Sequence, residues 1–223
     1  MGLTEQVMLP ACIQAELTLT LGTLAGIREA EAAASTARQT LRGQLAVDTG
    51  FHRLGFDVTR EAADALAREA RGLTWLRLTG MFSHLGLITA QRDQAQYDAL
   101  MRMQSMLEQR GLQLKDIHLC DSIGLVRYPA WHMGRVRVGA LLNGVRPFHT
   151  EHMPFEDRES LAFRTTVSQV RDVAAGEVVG YSDDQVLEHP ARIATLCAGY
   201  GDGYPRCLSN GKGKVLIRGK LAP

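Results

Sequence analysis

The chain has 223 residues, enough for one domain or about one and a half, since domains usually run to roughly 100 to 200 residues. Hydrophobic residues make up 45% and charged residues 22%, which is typical of a globular protein and excludes a disordered or fibrous chain. Lys and Arg number 25 against 24 Asp and Glu, a net charge of +1, so neither nucleic acid nor an anionic membrane is an expected partner. Chemistry on a small molecule fits better.

The beginning of the chain carries no targeting pattern. Its first 27 residues contain neither a basic segment followed by an apolar one nor a membrane-length apolar run, so we expect no export signal and no membrane segment. The four cysteines form no C-x-x-C pair and lie far apart, at Cys12, Cys120, Cys197 and Cys207. Reduced cysteines of this kind favour a cytoplasmic location.

Alternating elements follow in chain order. Residues 16–24 predict a strand and residues 25–40, rich in Ala and Glu, a helix. Further β-rich runs alternate with helical stretches and lie at 44–49, 78–85, 116–122 and 135–142. Thr59 is a candidate N-cap of one intervening helix, and Gly111 suits the end of the next. About five parallel strands fit either a doubly wound sheet or part of a (β/α)₈ barrel, and the periodicity alone does not choose.

The pattern changes after Asn143. Pro147 and Pro154 interrupt the chain, and β-rich runs without helices between them follow at 163–170, 177–181, 192–198 and 214–217. Glycines punctuate these runs, as in antiparallel β-structure. The sequence therefore predicts two domains, an α/β domain over residues 1–145 and the start of a β-domain over residues 146–223.

Polar side chains stand at the carboxyl ends of the predicted strands, where parallel α/β folds place their active sites. They are Asp48, Arg53, His84, Asp121, Ser122 and Arg137, with Gly139. Each one alone also has a structural interpretation: Asp48 could shape a turn, His84 could be a hydrogen-bonded core histidine, and Arg137 could form an ion pair. Together they predict one site at one rim of the sheet.

Six runs of residues resemble, in order, the motifs of the alanine racemases. The run VDTGFHRLG at 47–55 resembles DTGMxRLG, MFSH at 81–84 resembles F(T/S)H, and HLCDS at 118–122 resembles HxxNS. Further along, RVRVG at 135–139 resembles xxRxG, GYGDGYPR at 199–206 resembles GYxDGYPR, and 214–223 resembles VLIxGxxAP. Residues 51–56 and the last thirty residues lean towards the serine/alanine racemases of glycopeptide resistance.

The resemblance implies a fold and a cofactor. Members of the family pair an N-terminal (β/α)₈ TIM-type barrel with a C-terminal β-domain, use pyridoxal 5′-phosphate (PLP), and act as homodimers with two composite sites. The expected fold class is accordingly α/β, with the later strands of a partial barrel followed by part of an antiparallel β-domain. The chain resembles an interior part of such an enzyme, truncated at both ends, and no metal is expected.

The same resemblance implies roles for the cofactor-binding residues. Ser122 and the backbone amides of Gly139 and Ala140 would bind the phosphate, as a hydroxyl and a closely approaching backbone can. Arg137 would face the pyridine nitrogen, where a permanently charged guanidinium disfavours ring protonation. His84 would hydrogen-bond and orient Arg137.

Two further residues would act on the substrate. Arg53 would reach the phenolic oxygen of the cofactor and the substrate carboxylate. Tyr200 would be one of two opposed bases, because racemisation removes a proton from one face of Cα and delivers one to the other. In the family that tyrosine comes from the partner subunit.

The sequence also departs from the family. The lysine that holds the cofactor and acts as the opposite base is missing, since no lysine precedes Lys115. Ala46 stands where many members have a modified lysine, Asn143 where tyrosine is frequent, and Asp121 where an asparagine stands beside the phosphate binder. A carboxylate at Asp121 would repel phosphate.

Three alternatives stay open. The chain could be a noncatalytic degenerate relative that binds phosphate or a partner chain, which the missing lysine and Asp121 favour. It could also derive from a serine or broad-specificity racemase, with the same chemistry. An open-sheet nucleotide-binding protein is the weakest alternative, because no G-x-G-x-x-G or G-x-x-x-x-G-K-[ST] run follows any strand.

Overall fold

Helices and parallel strands alternate through the first of two units. A computed structural model describes residues 2–146, 153, 155–156, 158, 160–181 and 186–223. The chain divides into Met1–Leu161, the first unit, and Ala162–Pro223, the second unit. The elements of the first unit are, in order, α1 (Leu9–Gln14), β1 (Thr18–Leu21), α2 (Leu24–Ala37), β2 (Leu41–Asp48), β3 (Phe56–Asp57), α3 (Arg60–Arg71), β4 (Leu76–Phe82), α4 (Ala90–Glu108), β5 (Asp116–His118) and α5 (Ser122–Arg127).

The sheet of the first unit has the order β1-β2-β4-β5, with the two-residue strand β3 also paired to β2, and every pairing is parallel. Each long strand therefore pairs with the next long strand along the chain. A barrel wall is built this way, whereas a doubly wound sheet reverses its order at a switch point. The prediction of a partial α/β barrel is confirmed. The strand order thus decides between a barrel and a doubly wound sheet, which the periodicity of the sequence left open.

Threonine side chains begin the three longer helices. Thr23, Thr59 and Thr89 precede α2, α3 and α4, and each hydroxyl accepts a hydrogen bond from the backbone amide three residues later. The predicted cap at Thr59 is confirmed. Beyond α4, Gly111 adopts a positive φ, and the amide of Leu112 reaches back to the carbonyl of Leu107. No helix among the described residues is long and apolar enough to cross a bilayer.

The two faces of the sheet differ in character. Leu45, Met81 and Ile117 lie in one row across β2, β4 and β5 and belong to the apolar core that packs against the helices. Because successive side chains in a strand alternate between faces, the neighbouring rows point the other way. Those rows hold Gln44, Gly80 and Asp116, and then Ala46, Phe82 and His118. Polar groups therefore line the face opposite the helices.

Among the described residues, the strands of the second unit form two antiparallel pairs. Strand β6 (Val167–Val173) pairs with β7 (Ala191–Leu196), and β8 (Val215–Ile217) pairs with β9 (Lys220–Ala222). The prediction of antiparallel β-structure after the α/β region is confirmed. The strand predicted at 177–181 is wrong: a single bridge joins Val178 to Val186. Gly176 and Gly180 both have positive φ, which turns the backbone away from an extended course.

Two strand predictions in the first unit were also incorrect. Residues 135–142 form no strand, and a short 3₁₀ helix occupies Ala140–Asn143. Strand β5 ends at His118 instead of continuing to residue 122, because Asp121 caps the helix that begins at Ser122. The segment at 135–142 thus has little extended backbone to pair with, and its one backbone–backbone hydrogen bond to residues 116–121 runs from the amide of Arg137 to the carbonyl of Cys120.

Candidate active site

A pocket lies where the carboxyl ends of β2 and β4 meet the segment after α5. It is lined by Ala46, Val47, Asp48, Phe51, Arg53, Leu54, Phe82, Ser83, His84 and Arg137. Parallel strands bring their carboxyl ends to one edge, so residues far apart in sequence converge there. Among the residues predicted for the site, the pocket brings together Asp48, Arg53, His84 and Arg137.

Arg137 is a half-buried cation that lines this pocket. One terminal nitrogen, Nη2, donates to the carbonyl oxygens of Ser83 at 2.6 Å and Leu119 at 3.0 Å. The other, Nη1, lies 2.5 Å from Nδ1 of His118, while Nδ1 of His84 is 3.4 Å from Nη2. His118 therefore makes the shorter contact of the two histidines. The Nε–H of Arg137 is buried and has no hydrogen-bond partner among the described residues.

A chain of hydrogen bonds continues from His118 away from the pocket. Its Nε2 lies 2.8 Å from Oε1 of Gln44, and Nε2 of Gln44 donates to Oδ2 of Asp116 at 2.6 Å. The same carboxylate oxygen forms an ion pair with Arg135 at 2.7 Å. Since a guanidinium can only donate, His118 must accept at Nδ1 and carry its proton on Nε2. A buried network thus fixes the tautomer of His118 beside Arg137.

Burial sets the charge states around Arg137. Desolvation, together with the positive charge of Arg137, lowers the pKa of His118 to about 4, so this imidazole is neutral at physiological pH. Desolvation also lowers the pKa of His84, an effect that Asp121 opposes and Arg137 and Arg53 reinforce. The pKa of Arg137 itself is lowered by desolvation, but a guanidinium remains charged at any physiological pH. The half-buried positive charge of Arg137 therefore lies beside two histidines, His84 and His118.

Ser122 and Gly139 meet at the next position along the rim. The amide of Gly139 donates to Oγ of Ser122 at 3.1 Å, and Ser122 is buried. A Cβ at Gly139 would meet no atom within 4 Å, so open space lies beside this backbone. Ala140 follows directly and begins the 3₁₀ helix. Asp121, next to Ser122, accepts from the amides of Ile123 and Gly124 and so caps α5.

Arg53 also lines the pocket. Its guanidinium stands over the ring of Phe51 at 4.7 Å, and Phe51 meets His84 edge-on at 4.7 Å. Asp48 holds this loop, because Oδ1 accepts from the amides of Gly50 and His52. Burial works to raise the pKa of Asp48, but these amides and His52 outweigh it and bring the pKa below its ordinary value.

Tyr200 belongs to the second unit. It begins a 3₁₀ helix over Tyr200–Asp202, its side chain is largely exposed, and the guanidinium of Arg206 lies 5.5 Å from its ring centre. Asp202 closes the turn by accepting from the amide of Gly199 at 3.0 Å. This motif therefore presents a phenol on a tight turn.

No role is predicted from the sequence for four residues of the network, Gln44, Asp116, His118 and Arg135. A signal existed: Gln44, Asp116 and His118 are polar residues at alternate positions of β-rich runs, which places them on one face. Among the described residues, no three His, Cys, Asp or Glu side chains cluster closely enough to hold a metal ion.

Comparison with known protein families gives two matches that follow each other along the chain. Residues 1–147 match the family described as the alanine racemase N-terminal domain. Residues 160–223 match the alanine racemase C-terminal domain. Together the two matches account for most of the chain.

Curated relatives carry the same name. The alanine racemase of Syntrophobacter fumaroxidans is 36% identical over 184 residues, which is 79% of this chain and 47% of that protein. Alanine racemase 1 of Caldanaerobacter subterraneus subsp. tengcongensis is 30% identical over 225 residues, covering 100% of this chain and 58% of that protein. The chain thus spans about half the length of the curated relatives it matches.

Solved structures with the same fold include several racemases. The alanine racemase from the D-cycloserine producer Streptomyces lavendulae is 29% identical, with a TM-score of 0.78 over 96% of this chain and 57% of that one. The Bacillus anthracis alanine racemase with bound L-Ala-P has a TM-score of 0.85 over 100% of this chain and 58% of that one, at 23% identity. A histidine racemase from Leuconostoc mesenteroides shares the fold, with a TM-score of 0.75 at 24% identity over 92% of this chain and 55% of that one.

Proposed function

Because the chain belongs to the PLP-dependent alanine racemase family, we propose that it supplies the ring- and phosphate-binding part of an amino-acid racemase that interconverts L- and D-alanine. The names of the relatives support alanine as the substrate. A serine or broader specificity is the second candidate, since a histidine racemase among the structural neighbours has the same fold with a different named substrate.

The buried, unpartnered Nε–H of Arg137 is the observation that carries the proposal. A buried donor without an acceptor costs about 1–3 kcal/mol, so the pocket favours a ligand that presents an acceptor there. A neutral pyridine nitrogen is such an acceptor. The adjacent positive charge disfavours protonation of that nitrogen. When bound, PLP withdraws electrons from the substrate and makes the proton on Cα removable.

The rim at Ser122 fits the phosphate of the same cofactor. The Ser122 hydroxyl already accepts from Gly139, which leaves its own hydrogen free to point at an anion. The open space beside Gly139 admits a close approach of a ligand to the backbone, and the Ala140 amide follows at the same place. Ser122, Gly139 and Ala140 therefore form our proposed phosphate site.

Tyr200 and Arg53 complete the proposed chemistry. The phenol of Tyr200 would move the proton on one face of the substrate Cα, and Arg53 would hold the substrate carboxylate and the phenolic oxygen of the cofactor. We expect Tyr200 to serve a site in the partner subunit of a homodimer. His84, 3.4 Å from Arg137 and 3.9 Å from Asp121, would help to hold Arg137.

Cofactor binding tests the proposal. Both tryptophans lie in the first unit, at Trp75 and Trp131, so quenching of their fluorescence by added PLP reports binding there. We expect saturable binding that Arg137→Lys and Ser122→Ala each weaken about tenfold or more, the loss of a charge-assisted contact. Exposed Arg102→Lys and Ser35→Ala are the matched controls. Equal binding by all five proteins, or none by the wild type, would favour a noncatalytic relative instead.

A further inference from the structure

The side chain of Gln44 reaches across a neighbouring strand at a position where that strand has a glycine. The pairing register of β2 and β4 shifts between Gly43 and Gln44, so that Gln44 lies opposite Gly80. Gly80 in turn lies opposite Asp116. With no side chain at Gly80, the amide of Gln44 passes over β4 and its Nε2 contacts Asp116 on β5 at 2.6 Å. A Cβ at Gly80 would come within 1.9 Å of the Asp116 carbonyl oxygen.

The direction of every bond in this network follows from its two ends. Arg137 can only donate and the Asp116 carboxylate can only accept. The amide of Gln44 must therefore turn its NH₂ group towards Asp116 and its oxygen towards Nε2 of His118. Both Gln44 and His118 are more than nine-tenths buried. An amide fixed at both ends holds the imidazole in one orientation.

We propose that Gln44 is a positioning residue that separates His118 from the Asp116 carboxylate, so that His118 stays uncharged and accepts the hydrogen bond of Arg137. A carboxylate placed directly at Nε2 would stabilise the imidazolium form, which has no free lone pair on Nδ1. The Gln44 amide supplies the same hydrogen bond without a charge. This arrangement would fix Arg137 for a cofactor ring, and that purpose rests on the proposed function.

The surroundings of His118 agree with a neutral ring. Three charged groups act on it: Arg137 from the segment after α5, and Asp116 and Arg135, which form an ion pair with each other. The ring of Phe82 on β4 stacks on it at 5.1 Å with nearly parallel planes. Desolvation and Arg137 bring the pKa of His118 to about 4, and Asp116 opposes them with a smaller effect than either.

Nuclear magnetic resonance of the ¹³C,¹⁵N-histidine-labelled chain tests the charge state without any cofactor. In the wild type we expect the His118 signals, assigned by their loss in His118→Asn, to show protonated Nε2 and bare Nδ1, and no charging above about pH 5. Gln44→Glu should raise the pKa of His118 by about 1 to 3 units. The matched variant Gln44→Met, uncharged and of similar length, should leave the pKa low.

Two results would overturn the inference. One is a wild-type His118 that is already an imidazolium at pH 6, a measurement that needs no variant. The other is a folded Gln44→Glu chain in which the pKa of His118 is unchanged, or in which Gln44→Met shifts it equally.

Titration with PLP at pH 6 and pH 8 separates this inference from the proposed function. If Gln44 acts through the charge of His118, Gln44→Glu should lose more affinity at pH 6 than at pH 8, by up to about tenfold relative to wild type. Shifted His118 signals in a chain that binds no PLP would retain the inference and reject the proposed function. Unshifted His118 signals in Gln44→Glu, in a chain that binds PLP as proposed, would reject the inference and retain the proposed function.

Discussion

Asp121, at the rim, both caps a helix and carries a negative charge beside the proposed phosphate site. Its carboxylate accepts two amides at the start of α5 and lies 3.9 Å from Nε2 of His84. Beside it, Ser122 and the open backbone of Gly139 form the proposed phosphate site. The charge that caps the helix therefore also opposes an anion at the neighbouring residue.

Substitution of Asp121 separates these two effects. Asparagine caps helices about as well as aspartate, so Asp121→Asn should change the free energy of unfolding by less than about 0.5 kcal/mol, whereas Asp121→Ala should cost about 1 kcal/mol. Both variants remove the negative charge and should bind inorganic phosphate or PLP several-fold more tightly. Urea unfolding followed by tryptophan fluorescence and PLP titration measure the two quantities. Weaker PLP binding by Asp121→Asn would contradict the charge argument.

At the scale of elements, the start of α4 holds the loop that carries His84. The fully buried Asp93 accepts from the amide of Leu87 at 2.9 Å and from the hydroxyl of Tyr128 at 2.5 Å. Gln96, one turn later, accepts from the amide of Gly86 and donates to the carbonyl of His84. The start of α4 thus holds three residues of the loop after β4, His84, Gly86 and Leu87.

Alkaline pH should weaken the hydrogen bond between Tyr128 and Asp93. Burial and the hydrogen bond to Asp93 raise the pKa of Tyr128 to about 12, above its ordinary value near 10. Because the folded state holds the phenolic proton more tightly, the stability it contributes is complete below about pH 10 and is lost as pH rises towards 12. We expect Tyr128→Phe to remove this part of the pH dependence, measured by urea unfolding from pH 8 to 12.

Tyr97→Phe is the matched control, because Tyr97 also stacks on Trp131. It should keep the alkaline loss of the wild type. The idea fails if Tyr128→Phe and the wild type lose stability in parallel above pH 10.

The close approach of β4 and β5 at Gly80 gives a second prediction for an element. Gly80→Ala places a methyl group on the backbone of Asp116, so the two strands must separate, and we expect a loss of about 3 kcal/mol or more in the free energy of unfolding. Amide exchange should rise most in β5. Gly134→Ala, where a Cβ meets nothing within 4 Å, should change stability by less than about 0.5 kcal/mol. Equal effects of the two substitutions would contradict the claim that the pairing of β4 and β5 requires a glycine at position 80.

The elements could be predicted from sequence where local rules decide them. Thr59 as a cap and Gly111 after α4 follow from hydroxyl capping and from glycine at positive φ, and both hold in the structure. The strand expected at 135–142 fails because pairing depends on whether a neighbour is extended, which the local pattern does not contain. The Gln44 link was equally hidden, since it depends on a register shift and on the missing side chain of Gly80.

Across the whole molecule, the proposed chemistry is divided between the two units. The pocket with Arg53, His84 and Arg137 belongs to the first unit and Tyr200 to the second. The family motifs predict both, because each is a short run of specific residues. How a complete site is assembled could not be read from them, because a composite site depends on how subunits meet.

The lysines of the chain determine the last prediction. Lys115 immediately precedes β5, at the amino end of a parallel strand, whereas the pocket lies at the carboxyl ends. The other three, Lys212, Lys214 and Lys220, belong to the second unit. None stands at a position that matches the family lysine, so we expect the 223-residue chain alone to bind PLP only reversibly and not to racemise alanine.

Borohydride reduction of the purified chain with PLP, followed by peptide mass spectrometry, measures covalent attachment directly. We expect scattered labelling well below one group per chain, and conversion of L-alanine to D-alanine equal to that of a Tyr200→Phe control. Reversible binding should still be visible as tryptophan quenching, since Arg137 and Ser122 are present. Stoichiometric labelling of one lysine together with turnover that Tyr200→Phe abolishes would show that one of these lysines replaces the family base, and that the 223 residues already contain both proton-transfer groups.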